Sequence, residues 1–469
     1  MKDLTKGNSF KLIILFALPV FAGCVFQQLY SMVDTVIVGN TINVDALTGV
    51  GLTGPVSFLV LGFANGLASG FGVRVAQRFG AGDEEGVRRA IAMSFTLCII
   101  ISALLTAVAV PLTGAFLRLM QTPDVYFDYA YWYLFTIFCG IGATMFYNVL
   151  AAVLRAVGDS ATPLIFLIVC VALNVGLDFA FIVGLKMHYI GAALATVLSN
   201  LLSAVACFFY MFRRYPRLRP ARADFRFDLR LAGGHIAVGL PMALQFSITA
   251  IGCIVQQTAL NGLDASFRGV ATAYAASSKI DNLVNQAFPA LGTAMANYAG
   301  QNSGAGKFDR VRKGVNVSML YVLCASAFGL GLCAGLYEPL MNLFIDTEGG
   351  GETLLYYDDI LSYGRDYLLW QSACYLLLGA VFVYRNTLQG IGKSAVTTLA
   401  GVTELGGRVL ASFVFVRFWG FTGICASNPA AWLAADVFLL VTYYVVMRGK
   451  GRRERKKKLG APLAQPVRG

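Results

Sequence analysis

The chain alternates between long apolar runs and short polar connections. A helix needs about 20 predominantly apolar residues to cross a bilayer. Runs of that kind recur along nearly the whole chain, at roughly 10–38, 46–72, 88–112, 126–152, 162–184, 190–212, 232–260, 269–299, 315–337, 362–388, 395–416 and 420–447. They lack the one-sided stripe of a soluble amphipathic helix and the strict alternation of a half-buried strand. The pattern predicts an all-α polytopic membrane protein of about twelve transmembrane helices. An even number of spans leaves both termini on one face.

Charge then orients the spans. Of 37 Lys and Arg residues, 30 fall in the N-terminal segment, the loops after even-numbered spans and the C-terminal segment. The opposite loops hold five, Arg118, Lys186, Arg268, Arg365 and Arg417, and Lys279 and Arg408 remain inside spans. Basic residues collect on the cytoplasmic side of membrane proteins, so both termini are expected in the cytoplasm, with the protein in the inner membrane. The acidic loop TEGGGETLLYYDD (347–359) is then expected outside. This distribution also answers the net charge of +12: it is an orientation signal and implies no nucleic-acid partner. No small-residue cleavage site follows the first apolar run, which is expected to stay as helix 1.

The expected organisation is an N-terminal six-helix lobe (1–212), a Pro- and Arg-rich linker (213–231), a C-terminal six-helix lobe (232–447) and a basic tail (448–469) suited to anionic lipid. All ten cysteines lie within apolar stretches and form no CxxC, so none is expected in a disulfide or metal site.

The halves repeat. GAGDEEGVRRA (80–90) aligns with GAGKFDRVRKG (304–314) at 5 of 11 positions, and LRAVGDSAT (154–162) with LQGIGKSAV (388–396) at 4 of 9. The offsets are 224 and 234, and Pro19 of helix 1 has a counterpart in Pro241 of helix 7. Because six spans return the chain to its starting side, the repeats are parallel, related about the membrane normal, and a substrate path runs between such halves in secondary transporters.

With these motifs in place, the chain resembles the MATE (multidrug and toxic compound extrusion) family of the bacterial type over roughly residues 10–447. The resemblance rests on LPVFAGCVFQQLYSMVDTVIVGN, the GAGD loop, LRAVGDSATP, LNVGLDFAFIVG, GAALATVLSN, the GQNSGAG loop and TELGGR, in that order. It implies a cation-coupled antiporter, driven by H⁺ or Na⁺, that exports amphipathic, often cationic drugs by alternating access between two lobes. It implies small-molecule substrates, no cofactor and no metal other than a coupling Na⁺. A monomer is expected.

A charge within the hydrocarbon core marks a candidate functional residue. Asp34 on helix 1 and Asp178 on helix 5 both precede the outer end by a few residues, and Thr196 follows the outer start of helix 6. At ~1.5 Å per residue all three share a depth within ~10 Å of that end. Asn174 lies one turn below Asp178, and Tyr30 one turn below Asp34. Two carboxylates, an amide and a hydroxyl suit a proton or an oxygen-coordinated Na⁺. The bland alternative is a set of interhelical hydrogen bonds. The resemblance favours function, because Asp34, Asn174, Asp178 and Thr196 match the family's N-lobe cation site.

By the repeat offsets the counterparts of the aspartates are near Gln256 and Ser412, both uncharged, so coupling is expected in the N-terminal half. Gln245 occupies a region where some family branches carry an acid. Glu404 and Arg408 are four apart on helix 11 and are expected as a structural ion pair. Lys279 and Asp281 are candidates for substrate charge selection or for mutual neutralisation, with Asp436 on helix 12. Pro19 removes a backbone hydrogen bond and eases a bend of helix 1. His188 and His235 are read as interfacial residues at helix ends.

An enzyme is not expected. No GxxxxGK[ST] sequence is present to bind ATP phosphates, and two histidines with no nucleophile cluster offer no intramembrane active site. The main rival is a flippase for a lipid-linked precursor. Such flippases resemble a fourteen-span design with a strongly cationic cavity, unlike twelve spans with two intramembrane cations.

Overall fold

The computed structural model describes residues 2–41, 44–264, 269–345 and 356–459. The side chains of 32–44, 264 and 451–459 lie outside the described residues, Asp34 among them. The N-terminal half contains α1 (Ser9–Thr41), α2 (Val44–Leu52), α3 (Gly54–Gly80), α4 (Glu84–Leu119), α5 (Asp124–Cys139), α6 (Ile141–Ala156), α7 (Ala161–Asp178) and α8 (His188–Arg214). The C-terminal half contains α9 (Leu229–Asp264), α10 (Val270–Val284), α11 (Ala287–Gly304), α12 (Phe308–Asn342), α13 (Tyr357–Ala373), α14 (Tyr375–Gly390), α15 (Ser394–Leu410), α16 (Val416–Trp419) and α17 (Phe421–Leu459).

Short breaks join α2 to α3, α5 to α6, α10 to α11, α13 to α14 and α15 to α16, which leaves about twelve rods in two six-rod lobes. Nine described helices are long and apolar enough to span alone, and the bent pairs α5–α6 and α13–α14 bring the count to eleven. The α10–α11 rod is polar around its break, with Lys279, Asp281, Asn282, Asn285 and Gln286. Its membrane passage must therefore be shielded by protein rather than lipid.

The repeat seen in the sequence is carried by the backbone. The α5–α6 pair bends by 49° at Gly140, and α13–α14 by 44° at Cys374, positions 234 apart. Gly82 and Gly306 both adopt φ 72°, while Gly158 and Gly392 adopt φ 87° and 80°. These left-handed positions, cheap only for glycine, are what the matched GAG and GDS/GKS loops share. Asp83 caps α4 through Gly86 N, and Asp159 caps α7 through Thr162 N.

The halves meet at their basic-loop ends through reciprocal contacts. Gln77 Nε2 donates to Gly390 O at 2.9 Å, and Gln301 Nε2 donates to Ala156 O at 2.8 Å. Gln77 and Gln301 are 224 apart, and Ala156 and Gly390 are 234 apart, so each bond is the repeat image of the other. A Cβ at Gly80 would collide with the Gln301 carbonyl, and one at Gly304 with that of Gln77. Small residues permit this close backbone approach.

The N-terminal segment threads the same seam. Lys2 N donates to Val157 O, Leu4 N to Gln301 Oε1 and Arg310 Nη1 to Gly7 O. Leu12, Ile13 and Phe16 of α1 then pack with Phe288, Leu291 and Met295 of α11, in the core of the other half.

Some boundaries differ from expectation. The segment after α8 folds into 3₁₀ turns at Pro216–Leu218 and Arg222–Phe225, pinned on α4 by the Arg88–Asp224 pair at 3.6 Å. Tyr215 donates to Asp159 at 2.7 Å, and burial beside that carboxylate pushes its phenol up to about 12. α17 continues to Leu459, through the first part of the basic segment. His235, in the second turn of α9, is fully buried, edge-on to Phe71 and bonded to Leu231 O. His188 is exposed at the start of α8. Of the outer acidic loop, 347–355 lies outside the described residues.

Candidate functional site

α7 ends at Asp178 and continues as a π-helical turn, Phe179–Gly184. Such turns widen the helix locally and are frequent at functional sites. Here Gly176 precedes the turn and Ala180 lies within it, two small positions in an otherwise apolar run.

Four expected residues converge at this point. Asp178 and Asn174 share one face of α7 and are 0 and 1% exposed. In one orientation of the Asn174 amide, Tyr30 Oη donates to its oxygen at 2.6 Å and its nitrogen faces Thr196 Oγ1 at 3.4 Å. Turning the amide satisfies the surroundings better: Nδ2 then donates to Asp178 Oδ2 at 3.0 Å and to Tyr30 Oη at 2.6 Å, and Oδ1 accepts from Thr196 N at 3.1 Å. We adopt this second network, since an oxygen and a nitrogen are assigned by their partners. Asn174 therefore clamps α1, α7 and α8 together while presenting a donor to the carboxylate. Asp34 lies on α1 one turn beyond Tyr30, and its side chain is outside the described residues.

Apart from the Asn174 amide nitrogen and the Thr196 N–H, the cluster is lined by oxygens. It can hold a proton on a carboxylate, or a hard monovalent cation through carboxylate, hydroxyl and phenol oxygens. It has no nucleophile–base pair, and among the described residues no group of three His, Cys, Asp or Glu is placed to hold a metal.

The remaining candidates lie elsewhere. Gln256 is buried and donates to Ser427 at 2.8 Å, locking α9 to α17. Asp281 is buried in α10, where it accepts from Tyr375 Oη at 2.7 Å and faces Asn285 Nδ2 at 3.4 Å. Lys279 does not neutralise it; its ammonium stands 5.7 Å from the Phe344 ring centroid. Pro19 sits within a continuous α1. Gln245 accepts from Gln389 at 2.8 Å.

The Glu404–Arg408 pair is present, with 3.3 Å between Oε1 and Nη2, but it is part of a larger group. Glu404 Oε2 also binds Arg385 Nη2, and all three residues are buried. Arg385, grouped above with the loop charges, lies inside α14, five residues before its end. Its place directly after the apolar run YLLLGAVFVY, within the span 362–388, is the signal for this.

Comparison with known proteins agrees with this architecture. The MatE family profile matches residues 19–180 and 241–413, one block in each half. The "Probable multidrug resistance protein YpnP" of Bacillus subtilis (strain 168) is 28% identical over 390 residues, covering 83% of this chain and 84% of that protein. "Probable multidrug resistance protein YoeA" of the same organism is 24% identical over 450 residues, covering 94% of each. A solved structure described as the outward-facing conformation of a multidrug resistance MATE family transporter shares the fold, with a TM-score of 0.87 at 20% identity over 96% of this chain and 98% of that one. With both halves matched by the profile and relatives aligned over most of their length, the chain belongs to the MatE (multidrug and toxic compound extrusion) family of multi-pass membrane transporters.

Proposed function

We propose that this transporter exports amphipathic, cationic drug-like molecules in exchange for H⁺ or Na⁺, with Asp34, Asn174, Asp178 and Thr196 as the coupling site. The convergence of Tyr30, Asn174, Asp178 and Thr196 around the π turn is the observation that carries this reading. A carboxylate in a buried pocket binds a cation more readily than it stays charged. The names of the matched relatives favour drug export over translocation of a lipid-linked precursor.

The same reading takes the two lobes as rigid partners, with termini and basic loops in the cytoplasm of the inner membrane and the monomer as the working unit. Closure at the basic-loop ends by Gln77 and Gln301 is then a cytoplasmic gate, and this conformer opens toward the outside. A cation entering from outside relieves the charge at Asp178 and favours one arrangement of α1, for which Pro19 is the bend. A ligand shifts such an equilibrium only by binding one state better than the other.

Drug accumulation in proteoliposomes, with proton and sodium gradients imposed separately, tests the proposal. One gradient should drive accumulation against the drug gradient. Drug movement that only follows its own gradient under both conditions would make the protein a passive pore and refute the antiport reading.

A further inference from the structure

The C half holds a buried ionisable cluster that the coupling site leaves unused. Arg385 on α14, Glu404 and Arg408 on α15 and Asp436 on α17 are 4, 8, 5 and 3% exposed. Glu404 bonds both guanidiniums, so these three residues together carry a formal charge of +1. Neither oxygen of Asp436 has a hydrogen-bond partner among the described residues, and the Nε–H groups of Arg385 and Arg408 are also unpartnered. Arg385 and Glu404 nevertheless lie within charge–charge reach of Asp436.

A purely structural ion cluster satisfies its members, because a buried polar atom without a partner forfeits its hydration for nothing. Here one carboxyl group stands unbonded beside a cation with a donor to spare. Two arrangements of these groups are therefore close to each other. In the one observed, Arg385 binds Glu404, and a proton on Asp436 would remove the cost of an unpaired buried charge. In the other, Asp436 is ionised and accepts an N–H from Arg385, which brings α14 and α17 together.

We propose that Asp436, with the Arg385–Glu404–Arg408 triad, is a second proton-exchange site, in the C half, and that Arg385 shifts between the two carboxylates as Asp436 gains and loses its proton. On release the proton passes to water, and the four-residue cluster goes from +1 to neutral. The inference rests on the reading of the chain as a cation-coupled antiporter, but not on the role of Asp178.

The surroundings define what else can act on this group. α14 contributes Tyr384 besides Arg385, and α15 contributes Glu404 and Arg408. α9 presents the Gln256 amide, already bonded to Ser427. Tyr443 lies two turns along α17 beside Tyr384. Tyr363 of α13 meets Phe421, Asp366 of α13 acts on Cys425, and Arg312 of α12 binds Met447 O, each about three or more turns from Asp436. Arg417 of α16 is exposed.

The test is infrared difference spectroscopy of the full chain in lipid during a pH titration, read at the protonated-carboxyl stretch. Asp436→Asn should lose one carboxyl component that Asp178→Asn retains, and Asp436→Glu should restore that component at a shifted frequency. Arg385→Gln should leave the Asp436 proton bound to higher pH. An Asp436→Asn spectrum identical to the parent's overturns the proposal. Loss of a component in Asp178→Asn alone also overturns it, while leaving the N-half reading intact. If Asp436→Asn does not fold, the Asp436→Glu comparison decides: an unshifted spectrum refutes the site.

Discussion

The N half places its π turn, Phe179–Gly184, directly after Asp178, while the C half places its own π turn, Ala411–Phe415, around Ser412. These positions are 234 apart, so the two halves distort their fifth helix at the same point in the repeat. Only the first distortion carries a carboxylate. Ser412 is 1% exposed, and its hydroxyl has no hydrogen-bond partner among the described residues. The duplication has kept the backbone deformation and let the chemistry diverge. In the C half the charge sits elsewhere, in the Arg385–Glu404–Arg408 triad and Asp436. The π turn is thus common to both halves, and the residue beside it differs: a carboxylate in one and a hydroxyl in the other.

The comparison can be broken most forcefully at Glu404. Glu404→Gln removes the carboxylate that bonds both buried guanidiniums, and breaking a buried pair in this way costs about 3–5 kcal/mol. Thermal unfolding in detergent should fall by several degrees or the protein should fail to accumulate, whereas Asp178→Asn should leave the unfolding temperature nearly unchanged. Comparable losses in the two variants would mean that both clusters are structural.

A smaller effect is expected at the reciprocal seam. Gln301→Ala removes two buried hydrogen bonds, to Ala156 O and from Leu4 N, worth about 1–3 kcal/mol together. Gln77→Ala removes one to Gly390 O and another from Arg74. Thiol labelling of a cysteine placed at Ala156 should speed up in both variants, more in Gln301→Ala, as the basic-loop face opens more often. Unaltered labelling would show that the seam is held by backbone packing alone.

The least effect belongs to Asp3. Partial burial raises its carboxyl, but bonds from the Thr5 hydroxyl and amide, with Lys6 nearby, outweigh this and hold it below the ordinary carboxylate value. A depressed carboxyl stabilises its fold above its unfolded value and loses that contribution as pH falls through the folded one. The N-terminal segment should therefore become more susceptible to proteolysis only in the acid range, and Asp3→Asn should abolish that pH dependence. The group is largely exposed, so the change should be slight.

What the sequence made legible was whatever depends on one-dimensional spacing. The apolar runs marked the rods, the two loop matches marked the repeat, and depth along three helices brought Asp34, Asp178 and Thr196 to one level, with Asn174 and Tyr30 one turn below. Depth says nothing of azimuth, so the Asp281–Tyr375 bond between α10 and α14 was out of reach, whereas the failure of Lys279 to meet Asp281 follows from their spacing of two on one helix. Arg385 was obscured by its nearness to the loop at Gly392. Gln77 and Gln301 stand three residues before matched glycines and share their offset, yet their crossed pairing required knowing that the two loop ends touch. The π turns leave no mark in composition, because they are a backbone response to packing around Asp178 and Ser412.

The central claim is that the N-half cluster couples a cation gradient to export, and it is tested most directly by Asp178→Asn and Asp34→Asn in proteoliposomes. Each amide mimics a neutralised carboxyl and preserves the local shape. The account predicts that drug binding stays within about threefold of the parent while gradient-driven accumulation falls by about tenfold or more, a loss of at least ~1.4 kcal/mol of coupling. Accumulation against the drug gradient at the parental rate in both variants would contradict it, and would return Asn174 and Asp178 to the role of interhelical hydrogen bonds.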